Sequence, residues 1–429
     1  MSVVPCMVQQ LELFQPRHIQ SCILGNYTEK VRPLNALQSH LEVIEFSVSG
    51  RSLAYLDISN LVLRLSVYLR KKSTQAALGV GDNKFSLIDF PLHSIFSNVE
   101  LFLSEQSVTK SPHNYAYKVF FDLYTSACSD ALGTQLNGLL FVPDDRPDSA
   151  ADCEAWTARQ APLLRSQRAE LMGRVRVDFC NMQPALYLLD NVNVRLRLTL
   201  APQKFFLWCK EANPDVELVV DEAELHCKYF QVAPDLALGV EKMLSQQNAR
   251  YPFQSTQIKT FIHPALTEVL NIPVAFSGKL PNLLIVTFLK SSDFSGDATT
   301  NALYFPHCHV TELSAFCNGV ERKFEFRMGD ELGCTSAMRS LHNQLGHTSE
   351  EGSGNLFSSK RLKSGHFACA FNFSLDESSG GPAQNLDMTG TIRIQGLLKQ
   401  TLDHALVIML YAEFPSCVEI TAAREVILL

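Results

Sequence analysis

The side chains with the most chemical potential fall in two patterns. His307-Cys308-His309 is an H-x-H pair. In a strand, residues i and i+2 project on one face, so both imidazoles could reach a single Zn2+ or Cu2+. Two ligands do not complete a site, and no H-x-H partner or spaced His/Met set is evident elsewhere. The plain alternative is a structural pair. Arg159, Arg165, Arg168, Arg174 and Arg176 form the densest basic run, with Glu170 and Asp178 the acids near it. Such a run suits DNA phosphates or the carboxylates of a neighbouring protein. A solvated face on a long insertion accounts for it equally well.

Other candidates lack the context that chemistry needs. Ser94 lies beside His93 without a G-x-S-x-G elbow. The 12 cysteines are spread singly from Cys6 to Cys417 with no C-x-x-C spacing, which reads as reduced, buried thiols. GVGDN (79–83) lacks the strand-to-helix setting of a phosphate loop. Asp144-Asp145 and Glu350-Glu351 read as solvated loop tips. A net charge of −7 argues against a protein that coats nucleic acid with its whole surface. Neither a secretory signal nor an apolar run of about 20 residues is evident, so no membrane-spanning segment is expected. The expectation is a non-enzyme without metal or cofactor.

Length and periodicity then give the elements. A chain of 429 residues is too long for one ordinary core, and two domains are expected. Short alternating segments dominate. In NVNVRLRLTL (191–200), Val192, Val194, Leu196, Leu198 and Leu200 point one way while Asn193, Arg195, Arg197 and Thr199 point the other, the pattern of a half-buried antiparallel strand. RVRVDF (174–179) reads as another strand. In FPLHSIFSNVELFLSEQSVTK (90–110), Phe90, Leu92, Ile95 and Phe96 are spaced for one helical turn behind Pro91. The period then changes to two at Val99, Leu101 and Leu103, and Ser104–Ser107 makes a polar reversal. Local helices or a long excursion are predicted at 114–127 and 155–171, and helices near 235–246 and 330–345, with 142–154 an exposed loop.

A fresh set of strands begins after residue 255 and repeats this plan. About eight short strands per half with long loops predict an all-β double jelly roll: two tandem eight-stranded antiparallel sandwiches with short helical insertions. The boundaries are an N-terminal arm at 1–38, a first roll at 39–247 and a second at 248–429. The C-terminal EITAAREVILL is apolar enough to be docked.

Leu92-His93-Ser94-Ile95-Phe96-Ser97-Asn98-Val99, followed by Asn114-Tyr115-Ala116-Tyr117, resembles the major capsid proteins of Polinton/Maverick elements and adintoviruses. Ser49-Gly50 with Tyr55-Leu56-Asp57-Ile58 matches upstream, so motifs cover roughly the first 130 residues. The resemblance implies a double jelly-roll capsid protein of the lineage that includes adenovirus hexon. Three chains would make a pseudo-hexagonal capsomer, and capsomers would tile an icosahedral shell around double-stranded DNA. Implied partners are further copies of the chain, a penton or minor capsid protein of single jelly-roll type, a maturation protease and, indirectly, the packaged genome. The implied location is the virion capsid, with synthesis in the host cytoplasm and assembly there or in the nucleus. The N-terminal arm would run beneath the shell. Leu92, Ile95, Phe96, Val99, Tyr115 and Tyr117 are the candidate assembly residues, and each serves equally as core. Two other readings stay open. One is a two-jelly-roll metal-dependent enzyme, copper oxidase-like at His307 and His309 or a glycopeptide amidase. The other is a domesticated oligomeric scaffold.

Overall fold

Alternation of apolar and polar side chains makes strands the dominant element of this chain. The computed structural model describes residues 20–37, 42–79, 81–151, 153–165, 168–327, 331–347, 355–375 and 386–429. The first half contains β1 (Ile23–Val31), β2 (Val43–Val48), β3 (Ala54–Leu56), β4 (Val62–Lys71), β5 (Phe85–Leu87), β6 (Phe96–Leu103), β7 (Gln106–Ser107), β8 (Ala169–Arg174), β9 (Val194–Leu200), β10 (Leu207–Cys209) and β11 (Val216–Val232). The second contains β12 (Ala249–His263), β13 (Val269–Lys279), β14 (Leu283–Lys290), β15 (Val310–Cys317), β16 (Val320–Glu325), β17 (Cys369–Asn372), β18 (Thr389–Leu398), β19 (Leu406–Ile420) and β20 (Val426–Leu428). Between them lie α1 (Pro91–Ser94), α2 (Tyr115–Ser126), α3 (Ser129–Leu132), α4 (Glu154–Arg165), α5 (Gln203–Phe206), α6 (Pro234–Leu244), α7 (Ser291–Ser295), α8 (Glu331–Gln344) and α9 (Ser359–Ser364).

Strand order repeats between the halves. The first half pairs β1-β11-β4-β8 in one sheet and β2-β9-β6-β7 in the other. The second pairs β12-β19-β14-β17 and β13-β18-β15-β16. With the short strands β3, β5, β10 and β20 set aside, and each half's eight strands numbered from its start, both halves read 1-8-3-6 and 2-7-4-5. That antiparallel order is the jelly roll. The first strand lies beside the last, so each roll is closed by residues far apart in sequence.

Three expectations are corrected. Residues 23–31 were expected in an arm outside the rolls, but β1 pairs with β11 from Ile23↔Val232 to Val31↔Leu225 and Tyr27 stacks on Tyr229 at 5.3 Å. The edge of β11 would otherwise be left open. Residues 1–19, the rest of the expected arm as far as Gln20, lie outside the described residues. RVRVDF does not form a strand: β8 ends at Arg174, and Asp178–Asn181 is a short 3-10 helix with Asp178, Phe179 and Cys180 buried. Its backbone turns because Asp178 accepts the Thr256 N–H at 2.8 Å, a tertiary contact invisible to periodicity. The predicted helix over 155–171 stops at Arg165, and Ala169 starts β8. The C-terminus docks as expected, with β20 paired to β19 at Val418–Ile420.

Candidate functional site

The motif residues meet at one end of the first roll. Phe90 adopts a left-handed conformation (φ 40°), which turns the chain into α1 with Pro91 at its first position. Leu92, Ile95 and Phe96 have no exposed surface, and Val99 is buried in β6. His93 Nδ1 lies 3.0 Å from the Tyr115 hydroxyl, which also accepts the Arg176 backbone N–H at 3.3 Å. Burial holds His93 well below the ordinary histidine range and so keeps the imidazole neutral. The contact joins the Leu92-His93-Ser94 and Asn114–Tyr117 segments.

From Tyr115 onward α2 is the seam between the rolls. Its sequence is aromatic on nearly every side, and residues 115–121 are all buried. Tyr117 stacks on Phe294 of the second roll at 6.0 Å and meets Phe205 of the first edge-on at 5.6 Å. Phe120 packs on Phe305 at 4.7 Å, Phe121 on Tyr411 at 5.2 Å, and Tyr124 on His366 and Phe357 at 5.3 and 5.4 Å. Offset and tilted pairs of this kind add to their area burial.

A charged cluster crosses the same seam. Lys118 Nζ is 2.5 Å from Asp122, 3.0 Å from Asp178 and 2.7 Å from the Arg176 carbonyl. The Tyr411 hydroxyl lies 2.8 Å from both Asp122 Oδ1 and Glu413 Oε1. A phenol has one proton for these two acceptors. A protonated Glu413 resolves the conflict by donating to the Tyr411 oxygen, and burial pushes its carboxyl up to about 7. The cluster borders a cleft of about 780 Å³ lined by Lys118, Arg174, Arg176, Asn181 and Glu413 among others.

The arginine run does not form one face. Arg159 is wholly buried, because α4 turns Ala155, Trp156, Arg159, Gln160 and Leu163 inward on one stripe. Its guanidinium donates to the Leu87 and Val142 carbonyls at 3.0 and 2.6 Å and to Asp144 at 2.6 Å. The reading of Arg159 as facing DNA or a neighbour is thereby corrected. Asp144 is a buried partner rather than a solvated tip, and it also accepts from Asn301 of the second roll at 2.9 Å. Arg168 is exposed and pairs with Asp221 at 3.0 Å. Arg174 is exposed on β8, and Arg176 is half-buried beside the cleft. The Arg165 side chain lies outside the described residues.

His307 and His309 are not in a strand. Cys308 and His309 have φ of 49° and 51°, and β15 starts only at Val310. The rings meet edge-on at 4.8 Å, and the His309 N–H donates to His307 Nδ1 at 3.0 Å, which occupies a lone pair a metal would need. Among the described residues no group of three His, Cys, Asp or Glu is placed to hold a metal ion.

Lys118, Glu413, Tyr411 and Asp144 were missed in the sequence. Lys118 and Asp122 carried the one usable signal, an i,i+4 ion pair inside an otherwise aromatic helix.

No family model matches the chain, and no curated protein matches it by sequence. Solved structures do match it. A chain of the Sputnik virophage, solved by cryo-electron microscopy, superposes with a TM-score of 0.66 at 11% identity, covering 100% of this chain and 93% of that one. The mavirus major capsid protein gives 0.58 at 10% identity, with 100% and 96% covered. The chain has the double jelly-roll fold. A chain of the PBCV-1 virus capsid agrees with this double jelly roll at a TM-score of 0.58 and 13% identity, covering 97% and 98%.

Proposed function

We propose that the protein is a major capsid protein of the Polinton/Maverick and adintovirus kind. It acts by shape rather than catalysis: three chains form a pseudo-hexagonal capsomer, and capsomers tile an icosahedral shell around a double-stranded DNA genome. The observation that carries this reading is end-to-end agreement with the mavirus major capsid protein, over 100% of this chain and 96% of that one. Two rolls of one topology, locked by α2 and the Arg159–Asp144–Asn301 bridge, make a rigid unit with several lateral sides. A unit of this kind suits repeated contacts with copies of itself. Partners in this reading are other copies, a single jelly-roll penton or minor capsid protein, a maturation protease and, indirectly, the genome. The protein resides in the virion capsid, after synthesis in the host cytoplasm and assembly there or in the nucleus.

The test is the protein expressed alone at physiological salt, examined by light scattering and negative-stain microscopy. Hexagonal particles of three chains, or closed shells, are expected. A strict monomer carrying stoichiometric metal would overturn the reading and direct attention to His307 and His309.

A further inference from the structure

The two rolls share a topology but differ in what covers them. In the second roll β19 is buried on both faces from Leu406 to Ala412. There α2 lies against its outer side at Tyr411. The matching strand of the first roll is β11, whose outward Glu222, Glu224 and His226 are exposed or half-buried. The rolls align on the first residues of their third strands. Leu283, the first residue of β14, faces Glu413, and Val62, the first residue of β4, faces His226. Tyr411 and Glu413 in one roll thus correspond to Glu224 and His226 in the other.

The covering helix has a counterpart too. In the first roll α2 lies between the fifth and sixth strands, β7 and β8, and in the second α8 lies between β16 and β17. The inner side of α8 buries Cys334, Ala337 and Leu341, while its outer side exposes Thr335, Ser336, Arg339 and Asn343. Beside it, α9 exposes Lys360 and Lys363.

We propose that the exposed side of α8 and α9, which carries Arg339, Lys360 and Lys363, docks on the β8-β4-β11 face of a second copy of this chain, repeating between chains the contact that α2 makes with β19 within one. The proposal rests on the capsomer reading and supplies its subunit interface. The face carries both signs: Arg64 is shared among Glu170, Glu222 and Glu224 at 2.5, 3.2 and 3.5 Å, and Arg174 of β8 and Lys228 of β11 stand on the same side of the sheet. Glu170 and Glu222 keep more than half of their side-chain surface exposed to meet Arg339, Lys360 and Lys363. The contact is heterologous, so it propagates from chain to chain, and three chains of two rolls close it into a six-roll ring.

The test uses the full chain with a benzophenone photo-crosslinker at position 339, in mixtures of 14N- and 15N-labelled protein, beside light scattering over a dilution series. Trimers are expected, with crosslinks from 339 to residues 222–226 of a differently labelled chain. Arg339→Glu and, from the other side, Glu222→Arg should each raise the trimer's half-dissociation concentration about tenfold or more, and the double reversal should recover it. Wild-type trimers that ignore both reversals and crosslink elsewhere would overturn this docking while leaving the capsomer reading intact. A wild-type monomer at every concentration would overturn both.

Discussion

Arg159 ties α4 to two other segments through one guanidinium, at Leu87 and at Val142 with Asp144, and Asp144 extends that bridge to Asn301 in the other roll. Asp89 shares the same cation at 3.7 Å, and burial raises its carboxyl. Arg159→Leu would leave two buried carboxyls without their cation, at a cost of about 3–5 kcal/mol in urea unfolding. Adding Asp144→Asn should cost less than the sum of the two single changes. Glu413 gives the pH dependence. Its folded-state value of about 7 lies above the ordinary 4.5, because burial disfavours the charge. Its contribution is therefore complete below pH 4.5 and is lost as the pH rises through 7, amounting to about 3 kcal/mol. Glu413→Gln should flatten the fall in melting temperature between pH 5 and 8, and an unchanged slope would assign it to other groups.

At the scale of elements, α2 belongs to the first roll by sequence and to both by packing. Phe120 contacts Tyr124 at 4.1 Å within the helix and Phe305 and His366 across the seam at 4.7 and 5.8 Å. Phe120→Ala should cost about 3–5 kcal/mol. Calorimetry should then show the single transition broaden or divide as the rolls uncouple, whereas a sharp transition would mean that the seam is held elsewhere. The helix itself was legible: an apolar period of 3.6 after Asn114 and the Lys118–Asp122 spacing are local signals. That it would be buried all round was not legible, since the second half of its partners, Phe294, Phe305, Phe357, His366 and Tyr411, lie more than 160 residues away. Misreading 174–179 as a strand has the same origin, because Asp178 is held by Thr256.

For the whole molecule, the H-x-H pair separates the structural reading from the enzymatic one. The double change His307→Ala with His309→Ala should leave particle mass in light scattering unchanged and metal content, by plasma mass spectrometry, far below one ion per chain. Loss of a stoichiometric metal on this change would favour the enzymatic reading.

By itself the sequence determined the alternating strands, the helical turn behind Pro91, the reversal at Ser104-Glu105 and the doubled plan, because a period of two and turn chemistry are written in neighbouring residues. Tertiary structure alone decided which strands pair, since both rolls are closed by first and last strands far apart in sequence. It also decided the fates of the charged residues. Arg159 and Arg168 look alike in the chain, yet one turns inward on the buried stripe of α4 and the other meets Asp221 in solvent. A charge is placed by the partners that folding brings to it, and those partners came from other segments.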